Sequence, residues 1–131
     1  MTRVAVVYHS QDGHTKILAD AIAEGAASVE GAKAALHASE GSDSVEGRWS
    51  NEDLLAALDA ADAIAFGSPT HMGSVSGPFK AFLDGTLHRW YARAWLDKVG
   101  AAIARPESIS GFGLRRLRSS VPGYGDRQET A

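Results

Sequence analysis

Short uninterrupted apolar runs alternate along this chain with stretches whose apolar residues recur every three or four positions. Val4 to Tyr8 is apolar without alternation, the pattern of a strand covered on both faces. From Thr15 to about Ala27 the repeat is helical. It places Ile17, Leu18, Ala21, Ile22 and Gly25 on one stripe and predicts a helix that buries it. Gly31 breaks the chain, and Ala32 to Ala38 predicts a weak strand centred on Leu36, because alanines are poor strand formers. Glu40 to Trp49 is polar and rich in Gly and Ser, and predicts a loop. Ser50 offers an N-cap, with Asp53 three positions on imitating a capping box, for a helix through Leu54, Leu55 and Leu58 to about Ala60. Asp62 to Phe66 predicts the third strand. Gly77-Pro78 opens a helix of Phe79, Phe82 and Leu83, proline being suited to a first turn. Thr86 to Trp95 is aromatic-rich and is expected to cover a neighbouring surface. Lys98 to Ile103 is the fourth predicted strand.

Strands alternating with helices imply a parallel sheet whose right-handed crossovers place helices on both faces. The expected fold is therefore α/β, three-layered and doubly wound, over residues 1–104. From Arg105 to Ala131 the pattern stops. Gly111, Gly113, Pro122, Gly123 and Gly125 interrupt it, and five arginines stand against three acids. Leu114, Leu117 and Val121 have the spacing of a helical turn or two. Residues 105–131 are expected to form an irregular tail, leaving four strands without a fifth strand or a closing helix.

Composition narrows the function. A length of 131 residues with 44% hydrophobic residues suits one globular domain and excludes wholesale disorder. There is no cysteine, hence no disulfide and no thiolate chemistry. A net charge of −3 argues against a nucleic-acid partner, which calls for a basic face. No apolar run approaches the roughly 18 residues of a membrane span, and Met1-Thr-Arg leads straight into a strand, so no membrane association and a cytoplasmic location are expected. His9, His14, His37, His71 and His88 lack metal-ligand spacing, and no metal site is expected. No Ser-His-Asp or paired-carboxylate arrangement is legible.

Two strand-to-helix joints carry the candidate chemistry. The first, Ser10-Gln-Asp-Gly-His-Thr15, delivers free backbone N–H groups and a helix dipole that favour an anion. Ser10 and Thr15 add hydroxyls, and Gly13 permits the positive φ of a phosphate cradle. Cationic side chains are absent until Lys16, so an anion here rests on neutral donors. The loop is neither a Walker A motif nor a dinucleotide turn. By itself it is equally a plain turn with Thr15 as helix cap. The second joint, Gly67-Ser-Pro-Thr-His-Met-Gly73, follows the third strand. If that strand lies beside the first, both loops flank the crevice where strand order reverses, which is where open α/β sheets bind ligands.

Taken together, Tyr8-x-Ser-x-x-Gly-His-Thr15, Gly67-Ser-Pro-Thr-x-x-Gly-Ser74, Phe79-Lys-Ala-Phe-Leu-Asp84 and Trp90 resemble the flavodoxin-like superfamily. The nearest branch is the WrbA type of FMN-binding NAD(P)H:quinone oxidoreductases, and Gly47-Arg-Trp-Ser-Asn-Glu-Asp-Leu54 also matches it. The resemblance covers roughly residues 2–104. Flavodoxin is itself a standing example of the crevice rule, so that rule adds no independent weight here. The resemblance implies that Ser10, Gln11, Asp12, Gly13, His14 and Thr15 wrap the FMN phosphate. It implies that Pro69, Thr70, His71, Met72 and Gly73 run beside the isoalloxazine ring. Trp90 would line the acceptor side. His71 of the second loop reads either as a contact to a quinone oxygen or the nicotinamide or as a solvated loop histidine. A third flavin loop is expected from Ala104 to Gly111, where Arg105-Pro106 departs from the pattern. The function so implied is electron transfer from NAD(P)H through FMN to a quinone. The alternatives are a flavodoxin-type carrier and a degenerate scaffold without flavin. With its last helix missing, the protein is expected to self-associate as a homo-oligomer.

Overall fold

The computed structural model describes residues 1–105. The chain runs β1 (Thr2–Tyr8), α1 (His14–Ala27), β2 (Ala32–Ala38), β3 (Ser44–Val45), β4 (Arg48–Trp49), α2 (Glu52–Asp59), β5 (Ala63–His71), β6 (Ser74–Val75), α3 (Gly77–Gly85), α4 (Leu87–Tyr91) and β7 (Val99–Arg105). Four strands are parallel in the order β2-β1-β5-β7, and β6 folds back antiparallel on β5. The α/β doubly wound sheet is the one expected. The reversal of strand order falls at β1, since β2 lies on one side of it and β5 on the other. The expected irregular tail, the absent fifth strand and most of the third loop lie outside the described residues.

Among the described residues the two faces of the sheet are packed unequally. On one, Ala5, Val7, Ile64 and Phe66 meet Leu54, Leu55 and Leu58 of α2 and Phe79, Phe82 and Leu83 of α3, with Trp49 buried among them. Phe79 and Phe82 stack at 5.4 Å, and Trp49 lies 5.2 Å from Phe82. The other face holds Val6, Tyr8 and Ala65 under Ala19 of α1, with Ile103 of β7 at its margin.

Helix α1 does not bury the expected stripe. Thr15 and Ala19 are buried, with Ala23 and Ala26 half-buried, whereas Ile17 is 67% exposed, Leu18 37% and Ile22 38%. Small side chains let the helix axis approach the sheet closely, and the bulky residues are displaced to the flank and outer side. The helical period was right and the phase was wrong. The expected loop at 40–49 is also partly structured. It contains a 3-10 turn over Gly41–Asp43 and the β3–β4 hairpin, whose tip residues Glu46 and Gly47 both have positive φ. Trp49 ends that hairpin and donates through Nε1 to Ser39 Oγ at 3.0 Å. The N-cap of α2 is Asn51, not Ser50: its Oδ1 accepts from Leu54 N at 3.0 Å. Strand β5 extends past Phe66 through Pro69 and Thr70 to His71.

The aromatic segment after α3 was expected to cover a surface, and it does so only in part. Trp95 packs against the core, while Trp90 is 58% exposed and Tyr91 71%.

Gly85, at the end of α3, lies flat against the buried indole: a Cβ there would sit 2.4 Å from Trp49 Cε3. Overpacking of this kind costs about 1–3 kcal/mol. Gly85→Ala is expected to lower the urea midpoint by a corresponding amount with little change in slope.

Candidate functional site

The sheet brings the two loops together. Tyr8 pairs with Gly67, and His9 N donates to Gly67 O at 3.0 Å, so β1 and β5 deliver residues 9–13 and 68–73 to the same edge. The pairing is tight. A Cβ on Gly67 would stand 3.1 Å from the Ile103 side chain and 3.2 Å from Tyr8 Cβ.

The first loop ends in Gly13, which is the N-cap of α1 in the left-handed conformation at φ 87. Thr15 is therefore not the cap; it is a buried residue of the first turn. Ser10 Oγ accepts from Gly13 N at 3.1 Å and from Lys16 N at 3.3 Å, which leaves its own proton to donate outward. The N–H groups of His14 and Thr15 have no acceptor among the described residues. The Thr15 hydroxyl likewise has no partner there, and it is not sealed from solvent: among the described residues Ser44 Oγ is the fully buried side-chain polar atom without a partner. A cluster of unpaired donors at a helix N-terminus suits an oxyanion. Lys16 is turned away, its ammonium 2.9 Å from Asp20 in an exposed pair. The hydrogen bond and charge of Asp20 raise the Lys16 pKa. Asp12 is exposed. The donors that the cradle offers are thus neutral ones.

The second loop is a β-hairpin. Thr70 pairs with Val75 and His71 with Ser74 across a two-residue turn, Met72-Gly73, in which φ is 52 and 75. Two positive φ values define a type I′ turn, whose twist matches that of paired strands. Pro69, His71 and Gly73 are half-buried, Thr70 is buried, and the Met72 side chain is fully exposed. Ser68 and Ser76, both fully buried, fasten this hairpin to α3. Ser68 Oγ accepts from Ser76 N at 3.0 Å and donates to Pro69 O at 2.8 Å, while Ser76 Oγ caps Phe79 N. This serine pair escaped the sequence reading, although Ser76 before Gly77-Pro78 carries the signal of an N-cap.

Among the described residues a side-chain contact spans the crevice: His71 Nε2 and Gln11 Oε1 are 3.1 Å apart. His9 was not assigned a role. It is 9% exposed and its Nδ1 donates to Ser39 O at 2.9 Å, which ties the end of β1 to the end of β2. Burial lowers the pKa of His37. Trp90 lies on α4, where its ring meets Tyr91 at 5.0 Å; no hydrogen bond or ring contact among the described residues joins it to either loop. Among those residues no group of His, Asp and Glu has the arrangement of a metal site.

The Met72 side chain makes no folded contact while its backbone occupies a region that favours glycine. Met72→Gly is therefore expected to leave stability unchanged or raise it by up to about 1 kcal/mol. Chemical denaturation checks this, and a clear loss would show that Met72 supports the hairpin.

Residues 2–119 match the family model described as NADPH-dependent FMN reductase. The chain is 41% identical over 112 residues to flavodoxin FldP of Pseudomonas aeruginosa, covering 85% of this chain and 54% of that protein. It is 32% identical over 122 residues to an NAD(P)H dehydrogenase (quinone) of Syntrophobacter fumaroxidans, covering 83% and 60%. The crystal structure of a WrbA-like flavodoxin from Agrobacterium tumefaciens superposes with a TM-score of 0.75 at 44% identity, over 91% of this chain and 69% of that one. The chain thus spans little more than half the length of the curated relatives it matches. The flavodoxin-like fold expected from the sequence is the fold found.

Proposed function

Because the chain belongs to the NADPH-dependent FMN reductase family, we propose that it is an FMN-dependent oxidoreductase that passes electrons from NAD(P)H to a quinone-like acceptor. The observation that carries this reading is the cradle of unpaired neutral donors at the start of α1, set at the same sheet edge as the β5–β6 hairpin. These residues fit a phosphate. The Ser10 and Thr15 hydroxyls and the N–H groups of His14 and Thr15 would hold it, with Gln11, Asp12 and Gly13 completing the wrap. Pro69, Thr70, His71, Met72 and Gly73 would flank the ring system, to which the hairpin offers backbone groups and one exposed thioether. Bound FMN supplies the electron-transfer chemistry, so the protein needs only to bind, orient and exclude water. Gln11, 3.1 Å from His71 Nε2, would orient the ring at the crevice. Trp90 takes the acceptor side of the site in this reading.

The reading includes a cytoplasmic location, a domain spanning residues 1–104 and self-association of the chain. Among the described residues no helix is long and apolar enough to cross a membrane. Leu18 and Ile22 on α1, and Leu87, Trp90, Tyr91 and Leu96 after α3, leave apolar surface for a second copy. The similarity to flavodoxin FldP favours a second reading, an electron carrier. The two differ in turnover. An enzyme oxidises NADPH steadily with 1,4-benzoquinone as sole acceptor, whereas a carrier needs a protein partner. A colourless preparation that takes up no FMN would reject both.

Loss of a hydrogen bond to a charged acceptor costs about 1.5–3 kcal/mol, which is tenfold or more in affinity. Thr15→Ala is expected to weaken FMN binding by about tenfold and riboflavin binding hardly at all. Fluorescence titration with both flavins reads this. Equal losses would place the phosphate elsewhere.

A further inference from the structure

Between α3 and β7 the chain forms a strap, residues 86–98, that is buried at Thr86 and then almost entirely exposed. From Leu87 to Lys98 the residues that are not exposed are Arg89, Trp95 and Lys98. All three bind the same residue. Arg89 Nη2 donates to Asp59 Oδ2 at 3.1 Å, Trp95 Nε1 donates to Asp59 Oδ1 at 2.7 Å, and Lys98 Nζ donates to the Asp59 main-chain oxygen at 2.9 Å. Lys98 Nζ also donates to Ala61 O. Asp59 is the last residue of α2, where the carbonyl end of a helix favours a cation such as Lys98. Glu52, one face and two turns back, adds a longer contact to Arg89 at 3.9 Å. The strap also contains two non-glycine residues at positive φ, Arg93 at 54 and Asp97 at 69, a conformation that is costly without an external tie.

We propose that Asp59 is a positioning residue for the electron acceptor: by holding the strap against α2, it fixes where the exposed Trp90–Tyr91 pair is presented. The proposal rests on the reading of Trp90 as the acceptor-side aromatic. Trp90 is the immediate neighbour of Arg89 on the short helix α4, and its ring meets Tyr91 edge-on, so the Arg89–Asp59 bond ties to α2 the turn that carries both rings. The anchor persists across neutral pH. Burial alone would raise the Asp59 carboxyl, but the hydrogen bonds from Arg89 and Trp95 and the charges of Arg89 and Lys98 outweigh it and hold the group below the usual carboxylate range. Asp59 itself belongs to no loop of the candidate site, and a change there removes no donor from the cradle.

The test uses the full chain loaded with FMN and compares Asp59→Asn, Arg89→Gln and the double variant. Two readouts are taken: the rate of tryptic cutting after Arg93 and Lys98, followed by mass spectrometry, and steady-state turnover with NADPH and 1,4-benzoquinone. Asp59→Asn is expected to speed cutting by about tenfold and to raise the benzoquinone KM by about five- to tenfold, the size of one lost charge-assisted bond. FMN affinity and the NADPH KM should stay within about twofold, and the double variant should be no worse than Asp59→Asn, because both changes break one interaction. Unchanged cutting overturns the anchor. A parallel loss of FMN affinity overturns it too, since Asp59 would then serve the whole fold. Faster cutting with an unchanged benzoquinone KM overturns the positioning role, and Trp90→Ala then separates the causes. If Trp90→Ala raises that KM, only the role of Asp59 falls; if it does not, the reading of Trp90 falls with it. Should Asp59→Asn fail to fold, Trp95→Phe removes one of the same donors and carries the same expectations at smaller size.

Discussion

The pairing of β1 with β5 at Tyr8 and Gly67 is the constraint on which the site depends. It makes β1 the strand at which the order reverses, and it sends two loops of unrelated sequence to one edge. Gly67 makes this possible. Its φ is ordinary; what matters is that a side chain there would press on Ile103 and Tyr8 from 3.1 and 3.2 Å. The absence of a Cβ lets β7 and β1 close on β5 from both sides. Shifting β5 by one residue would exchange the faces of Ile64, Ala65 and Phe66 and remove Phe66 from the aromatic cluster. The large core on the α2–α3 face therefore protects the register, and the register places the loops.

The loops use different physics for the same end. The first is held from within, by Ser10 Oγ accepting from two main-chain N–H groups and by the left-handed Gly13. Its remaining donors stay unpaired because a helix start always leaves some N–H groups without a partner. The second is held from below, by the buried Ser68–Ser76 pair and the ladder of a short hairpin, and its tip projects a thioether into solvent. An anion site benefits from fixed dipoles, whereas a surface meeting a flat apolar ring benefits from an exposed polarizable side chain. The His71–Gln11 bond joins the two loops without burying either residue.

Element order and both loops were legible because their signals are local. An apolar run that stops at glycine or proline, and a serine or threonine beside a helix start, state their conformation within a few residues. The phase of α1 was not legible. Ile17, Leu18 and Ile22 are the strongest apolar signal in that helix, yet Thr15 and Ala19 face the sheet. Hydrophobicity ranks side chains by transfer energy, but a helix crossing close above two strands selects by volume. The β3–β4 hairpin was missed for the converse reason. Its strands are two residues each, too short for any alternation, and its stability comes from a distant partner, the aromatic cluster into which Trp49 inserts. Asn51 displaced Ser50 as cap by one position, within the resolution of any pattern of polar residues.

The strap shows a third kind of information that no window of sequence contains. Arg89, Trp95 and Lys98 are spaced irregularly, on a turn of helix, an irregular stretch and the threshold of a strand. They converge because Asp59 ends α2 where β5 and β7 both begin, with Val99 N donating to Asp62 O. A carboxylate at that junction sees the helix end, the incoming β7 and the strap at once. An apolar residue there would leave Lys98 at the helix end but would leave the Arg89 guanidinium only its longer contact to Glu52 and the Trp95 indole without that acceptor. Where the described residues cover one face of the sheet with so small a cluster, a polar junction that ties down a strap with nine exposed residues is a cheaper device than a further layer of core.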